Sequence, residues 1–138
     1  MKDFSVTRRI DAPPERVWAI LTDASRYPEW EPGMERIDGQ IVDGGDITLH
    51  VKYSKRPFPL QVGAWDAPRG MTWSSGMPLG LFRGERRFTL APNADGTTTF
   101  TMREQFTGLL SPLIGRAIPD LQPMFEQFAD GLAAAAAQ

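Results

Sequence analysis

The order of periodicities along the chain predicts an α+β fold. A curved, seven-stranded antiparallel β-sheet wraps one long C-terminal α-helix, with one or two short helices after the first strand. Three observations carry that expectation. Residues 4–10 alternate as a half-buried strand does, and residues 13–22 change to helical spacing. Residues 34–106 then return to alternation cut by turn residues, before a helical stripe occupies residues 111–132. Such a sheet has one apolar face to cover, and only one long apolar helix is available to cover it.

Each element has its own signal. "DFSVTRRIDA" alternates Phe4, Val6 and, less cleanly, Arg8 and Ile10. In "APPERVWAILTDASRYPEW", Pro13 or Pro14 opens a short helix whose apolar side is Val17, Ile20 and Leu21. "SRYPEW" has room for one further turn, and Pro28 and Pro32 enforce an extended exit. "MERIDGQIVDGGDITLHVKYS" divides at Asp43–Gly44–Gly45–Asp46 into two strands, the second placing Ile47, Leu49, Val51 and Tyr53 on one side. "LQVGAWDA", "MTWSSGM", "GLFRGERRFTL" and "TTTFTMREQF" supply the remaining strands, with Met71, Trp73 and Met77 in phase. Ser111 and Pro112 read as cap and first turn of the C-terminal helix. Its stripe is Ile114, Ile118, Leu121, Phe125, Phe128 and Leu132, and Pro119 and Pro123 predict a kink or break between residues 117 and 123.

Composition narrows the function classes. The 138 residues suit one domain over 1–138, with 41% apolar and 23% charged residues, as in ordinary soluble globular proteins. A formal charge of −2 provides no field for nucleic acid or an anionic membrane. No apolar run is long enough to span a bilayer and Met1-Lys2-Asp3-Phe4 opens no signal peptide, so a cytoplasmic protein is expected. There is no cysteine and a single histidine, His50, which excludes disulfides, thiol nucleophiles and two-histidine metal motifs. No metal and no cofactor are implied.

The stretch "GLFRGERRFTL" holds the most informative residue. Phe82, Phe88 and Leu90 share one parity and Arg83, Glu85 and Arg87 the other, yet Arg86 falls with the phenylalanines. The next strand likewise places Glu104 among Phe100, Met102 and Phe106. With a turn over residues 92–96, Leu90 faces Thr98, Phe88 faces Phe100, Arg86 faces Met102, and Glu104 lies diagonal to Arg86 at about 7–8 Å. On the other side Trp73 comes opposite Arg86 and Met77 opposite Phe82. A one-residue slip would reverse the faces. On the outer face, Glu85 comes opposite Arg103.

An unpaired charge on the apolar face costs several kcal/mol, so each ion needs a partner or water. Two readings stay open: a self-satisfied Arg86–Glu104 pair stacked on Trp73, or a polar anchor for a ligand's carboxylate, hydroxyl or carbonyl. A catalytic form of the second has Arg86 polarise a carbonyl while Glu104 moves a proton. Trp30 either closes one end of a cavity or belongs to the core. Leu121, Met124, Phe125 and Phe128 lie beneath the sheet, and Met77, Met102 and Met124 offer adaptable walls. His50 reads as a solvated strand residue, Ser74–Ser75 lacks a histidine partner, and "PLGLFRGER" is no phosphate loop.

The segments "IDAPPERVWAILTDASRYPEWEP", "MTWSSGMPLGLFRGERRFTLAP" and "MREQFTGLLSPLIGRAIPDLQPMFEQF" resemble, in order, the START/Bet v1-type helix-grip superfamily, and more narrowly its polyketide cyclase/dehydrase-like (SRPBCC) branch. The resemblance implies a helix-grip domain that binds a small hydrophobic or aromatic metabolite or lipid between sheet and helix. The expected ligand-binding set is Trp30, Trp73, Met77, Phe82, Arg86, Phe88, Phe100, Met102, Glu104, Phe106, Met124 and Phe128. A cyclase/dehydratase-like enzyme using Arg86 and Glu104 is the second reading, and a protein-interaction module without a small ligand the third. The first is favoured over catalysis, and a homodimer is left open.

Overall fold

A computed structural model describes residues 3–138, so Met1 and Lys2 of the segment weighed as a signal peptide lie outside the described residues. Strand β1 (Asp3–Ile10) leads into helix α1 (Pro14–Leu21), a 3-10 turn over Ala24–Arg26, and the single-turn α2 (Tyr27–Trp30). Six strands follow: β2 (Met34–Asp38), β3 (Asp46–Val51), β4 (Phe58–Asp66), β5 (Gly70–Gly76), β6 (Arg83–Pro92) and β7 (Thr98–Thr107). They form one seven-stranded sheet in the order β1-β7-β6-β5-β4-β3-β2, with every neighbouring pair antiparallel. The consecutive hairpins follow from the turn residues, and β1 completes the order by pairing with β7.

The C-terminal segment breaks where its prolines require. It forms α3 (Ser111–Ile114), a 3-10 turn over Gly115–Ala117, and α4 (Gln122–Ala136). Ile118, immediately before Pro119, is extended (φ −80°, ψ 123°), as a residue preceding proline prefers. Pro123 is accepted in the first turn of α4, where its missing N–H leaves no bond unmade. Ser111 is not the cap: it is the buried first residue of α3, and Leu110 occupies the N-cap without a side-chain bond.

The core lies between the concave face of the sheet and α1, α2 and α4. Phe125, Phe128, Ala129 and Leu132 present the buried side of α4, and Val17, Trp18 and Leu21 that of α1. Two tethers fix the helix. Arg8 reaches from β1 to Glu126 and, at 3.0 Å, to Asp130, while Arg16 Nε donates to the Ala136 carbonyl at 2.7 Å. Gly131 lets α4 approach α2 backbone to backbone, since a Cβ there would stand 2.1 Å from the Trp30 carbonyl oxygen.

Three strand details differ from expectation. β2 ends at Asp38, because residues 39–45 form a loop with Gly39 and Gly44 at positive φ. Tyr53 lies beyond β3 and is exposed, so it does not continue the buried row of Ile47, Leu49 and Val51. In the β6–β7 hairpin Pro92 pairs with Thr98 and the turn occupies residues 93–97, which displaces the register by two residues from that expected. An even displacement preserves the faces but changes the partners. Arg87 therefore stands opposite Arg103, and Glu85 opposite Gln105. Arg103 instead pairs with Asp3, and Glu85 bonds to Arg83 and Arg87.

Candidate functional site

The displaced register brings the two inward charges face to face. Arg86 is flanked directly by Glu104 of β7 and by Trp73 of β5. Its Nε donates to Glu104 Oε1 at 2.7 Å, and its guanidinium carbon stands 4.9 Å from the centre of the Phe125 ring on α4. The two side chains keep 21% and 15% of their accessible surface, so the pair sits at a boundary between water and core. A charge-assisted bond and a cation–π contact compensate part of its lost hydration. The Nη groups of Arg86 and Oε2 of Glu104 have no hydrogen-bond partner among the described residues.

Inward of that pair the space fills with aromatic rings. Trp73 meets Phe88 edge-on at 4.7 Å between centroids, and Phe88, Phe100 and Phe128 lie within 6.4 Å of one another. Tyr27, which the sequence reading passed over, stands at the centre against Trp30, Trp73 and Phe128. Its only advance signal is a tyrosine held in a single turn between Ser25 and Pro28. Its hydroxyl donates to the Leu21 carbonyl at 2.5 Å, and burial pushes the phenol well above its ordinary range, which keeps it a donor. The indole Nε1 atoms of Trp30 and Trp73 are buried without an acceptor among the described residues.

The expected site residues thus separate by depth. Trp73, Phe88, Phe100, Met102 and Phe128 are fully buried core, and Phe106 is nearly so. Phe106 stacks on Phe82 at 5.8 Å and lies over Gly84, whose missing side chain gives the ring its place. Trp30, Phe82 and Met124 are half-buried. Met77 falls beyond the end of β5 and is 47% exposed, so it belongs to the outer rim even though its N–H bonds the Phe82 carbonyl.

Two concavities lie elsewhere. One of about 460 Å³ is on the outer face of β4–β6, lined by Gln61, Gly63, Thr72, Ser74, Arg83 and Arg87. The other, about 490 Å³, is lined by His50, Lys52, Tyr53 and Arg56 at the β3–β4 connection. Neither includes Arg86 or Glu104. His50 shares its Nε2 with Asp38 at 2.8 Å and takes no part in the inner site. Among the described residues no cluster of three or more histidine or carboxylate side chains is arranged to hold a metal ion, and no helix is long and apolar enough to cross a membrane.

A seven-stranded antiparallel sheet wrapped on a C-terminal helix, with short helices after β1, defines the START/Bet v1-type helix grip. The chain belongs to the family described as polyketide cyclase / dehydrase and lipid transport, whose model matches residues 1–137. Solved structures agree on the fold. The Zhui aromatase/cyclase from Streptomyces sp. R1128 is 13% identical at a TM-score of 0.73, covering 99% of this chain and 93% of its own. A START superfamily protein from Mycobacterium smegmatis is 17% identical at 0.70, covering 99% and 97%. Protein MLL2253 from Mesorhizobium loti is 23% identical at 0.73, covering 96% and 95%. No curated protein matches the sequence.

Proposed function

We propose that this protein binds a small hydrophobic or aromatic molecule at the open end of the grip, oriented by Arg86 and Glu104. The observation that carries this reading is the incomplete use of Arg86. A guanidinium offers five N–H donors, and here one Nε bond is made while the Nη groups, on the apolar face of the sheet, remain available. Phe125 provides an apolar wall beside it, and the stacked Phe82 and Phe106 lie toward the same end of β6 and β7. The packed rings farther in favour a small ligand, or one that inserts only its leading end. Family membership supports a ligand-binding or cyclase role of this general kind.

Native mass spectrometry of the purified protein, followed by titration with matched ligands, tests the proposal. Arg86→Met is expected to weaken ligands with a polar head by about tenfold, the order of one charge-assisted hydrogen bond, and to spare wholly apolar ones. Equal weakening of both kinds would make Arg86 purely structural.

A second reading, catalysis resembling a cyclase or dehydratase, draws on the free Oε2 of Glu104 beside the Arg86 guanidinium. Glu104 would transfer the proton and Arg86 would polarise the carbonyl. Under that reading Glu104→Gln abolishes turnover while leaving ligand affinity within a few-fold. Loss of affinity with no turnover in the parent protein excludes it.

A further inference from the structure

The open end of the grip carries an outer surface that the inner pair does not use. Because neighbouring strands run antiparallel, the β3–β4 and β5–β6 connections and the segment from β7 to α4 all emerge at that end of the sheet. The last two touch backbone to backbone: the Leu110 N–H donates to the Leu81 carbonyl at 2.7 Å, and a Cβ on Gly108 would stand 2.7 Å from that oxygen. Tyr53 of the β3–β4 connection lies near enough to Arg86 and Glu104 for their charges to act on its phenol. Five of the seven exposed large apolar side chains among the described residues belong to these three segments: Tyr53, Met77, Leu79, Leu109 and Leu113. Leu79 is 95% exposed and Leu109 80%. The turn over Pro78–Gly80 holds Leu79 at φ 62°, a conformation bulky residues avoid, so a leucine is presented to water at a backbone cost as well as a hydration cost.

Positive charge gathers on the same segments. Lys52, Lys55, Arg56 and Arg116 stand against Asp120, so residues 52–57, 77–82 and 108–121 hold a net charge of +3 within a chain of −2. The whole-chain charge thus conceals a basic end. We infer that this end docks on a lipid surface bearing anionic head groups, with Leu79, Leu109 and Leu113 entering the interface and Lys52, Lys55 and Arg56 meeting the head groups. Apolar tips beside cations match the two layers of such a surface. Neither concavity described above holds the three leucines, and they project from two different segments, which suits a fluid apolar medium better than a shaped protein pocket. A second copy of the chain would set one basic end against another. The inference goes beyond the binding reading and does not depend on it, because it rests on rim residues and not on Arg86 or Glu104.

The experiment is co-sedimentation of the full chain with vesicles of phosphatidylcholine alone and of phosphatidylcholine with about 30% phosphatidylserine. Partitioning onto the mixed vesicles is expected to be at least about tenfold stronger, and to weaken as salt rises from about 0.1 to 0.5 M. Leu79→Asn with Leu109→Ser changes two exposed positions, and asparagine tolerates the positive φ at residue 79, so the fold is retained. That pair is expected to weaken partitioning about tenfold, as is replacing Lys52, Lys55 and Arg56 together by Gln. Val42→Ser, an exposed apolar position in the β2–β3 connection at the opposite end of the sheet, should leave partitioning unchanged. Equal partitioning onto both kinds of vesicle, or an equal loss from Val42→Ser, would overturn the docking surface. Absence of vesicle binding at millimolar lipid would overturn it outright, and self-association abolished by the leucine changes would then assign the rim to a second copy. Neither result touches the ligand reading, which native mass spectrometry tests separately.

Discussion

Two arginines point into the apolar side of this sheet, and their surroundings differ. Arg8, on edge strand β1, has a full fork: Nε bonds Asp130, Nη2 bonds Glu126, and Nη1 bonds the Thr7 carbonyl. Arg86, on inner strand β6, uses Nε alone, against Glu104. Arg8 works as a rivet between sheet and helix, and each of its three guanidinium nitrogens bonds the fold. Arg86 is held in place by one bond and one aromatic ring, with donors to spare. Inward-pointing charge alone therefore does not mark a site, and it is the unmet hydrogen-bonding capacity of Arg86 that supports the proposed one.

The sharpest way to break that comparison is to remove one acceptor from each arginine. Glu104→Leu leaves Arg86 without an ionic partner where it is mostly buried, at an expected cost of about 2–4 kcal/mol in urea denaturation. Asp130→Ala leaves Arg8 with Glu126 and the Thr7 carbonyl, and is expected to cost less than about 1 kcal/mol. Replacing Arg86 and Glu104 together by Met and Leu should recover most of the first loss, because apolar residues of similar volume fill a half-buried pair's place well. Equal costs for the two acceptor removals would erase the distinction.

Acidification should produce the smallest effect, and on the Arg8 side it acts through Glu126. The Gln122 amide and then the Arg8 guanidinium hold the Glu126 carboxyl below its ordinary range. The folded chain thus keeps that charge to lower pH than the unfolded chain. Its stabilisation is present above about pH 4 and is lost as pH falls further. Hydrogen exchange at the start of α4 should accelerate over that window, as should exchange at the β6–β7 turn, where Thr97 and Arg9 likewise hold Asp95 below its ordinary range. An unchanged rate at the start of α4 would contradict the assignment of Arg8 as the helix tether.

The sequence made Arg86 and Glu104 legible through parity, which survives any register error of two residues. Their partnership was less legible. Alternation predicts the turn after β6 one step early, so Glu104 is expected on the diagonal and is found directly opposite. Turn placement depends on how Asn93 and Thr97 bond to each other across the loop, and alternation carries no trace of that. The break before α4 was readable because proline acts through its own backbone. The inner filling was not, because periodicity says which side chains face inward and nothing of how deep they reach. Tyr27 shows this most clearly: it lies in a single turn too short for periodicity, yet it is the residue around which Trp30, Trp73 and Phe128 gather.

Gly131 also bears on the size of the opening. The helix rests on the Trp30 carbonyl with no side chain between them, so the gap between α2 and α4 is at the smallest gauge two backbones allow. A residue with any side chain at this position would act as a shim, lifting α4 and carrying Phe125 and Phe128 with it. The width of the grip is thus adjustable from a position outside the ligand site, by methyl-sized increments, without altering any group that would touch the ligand.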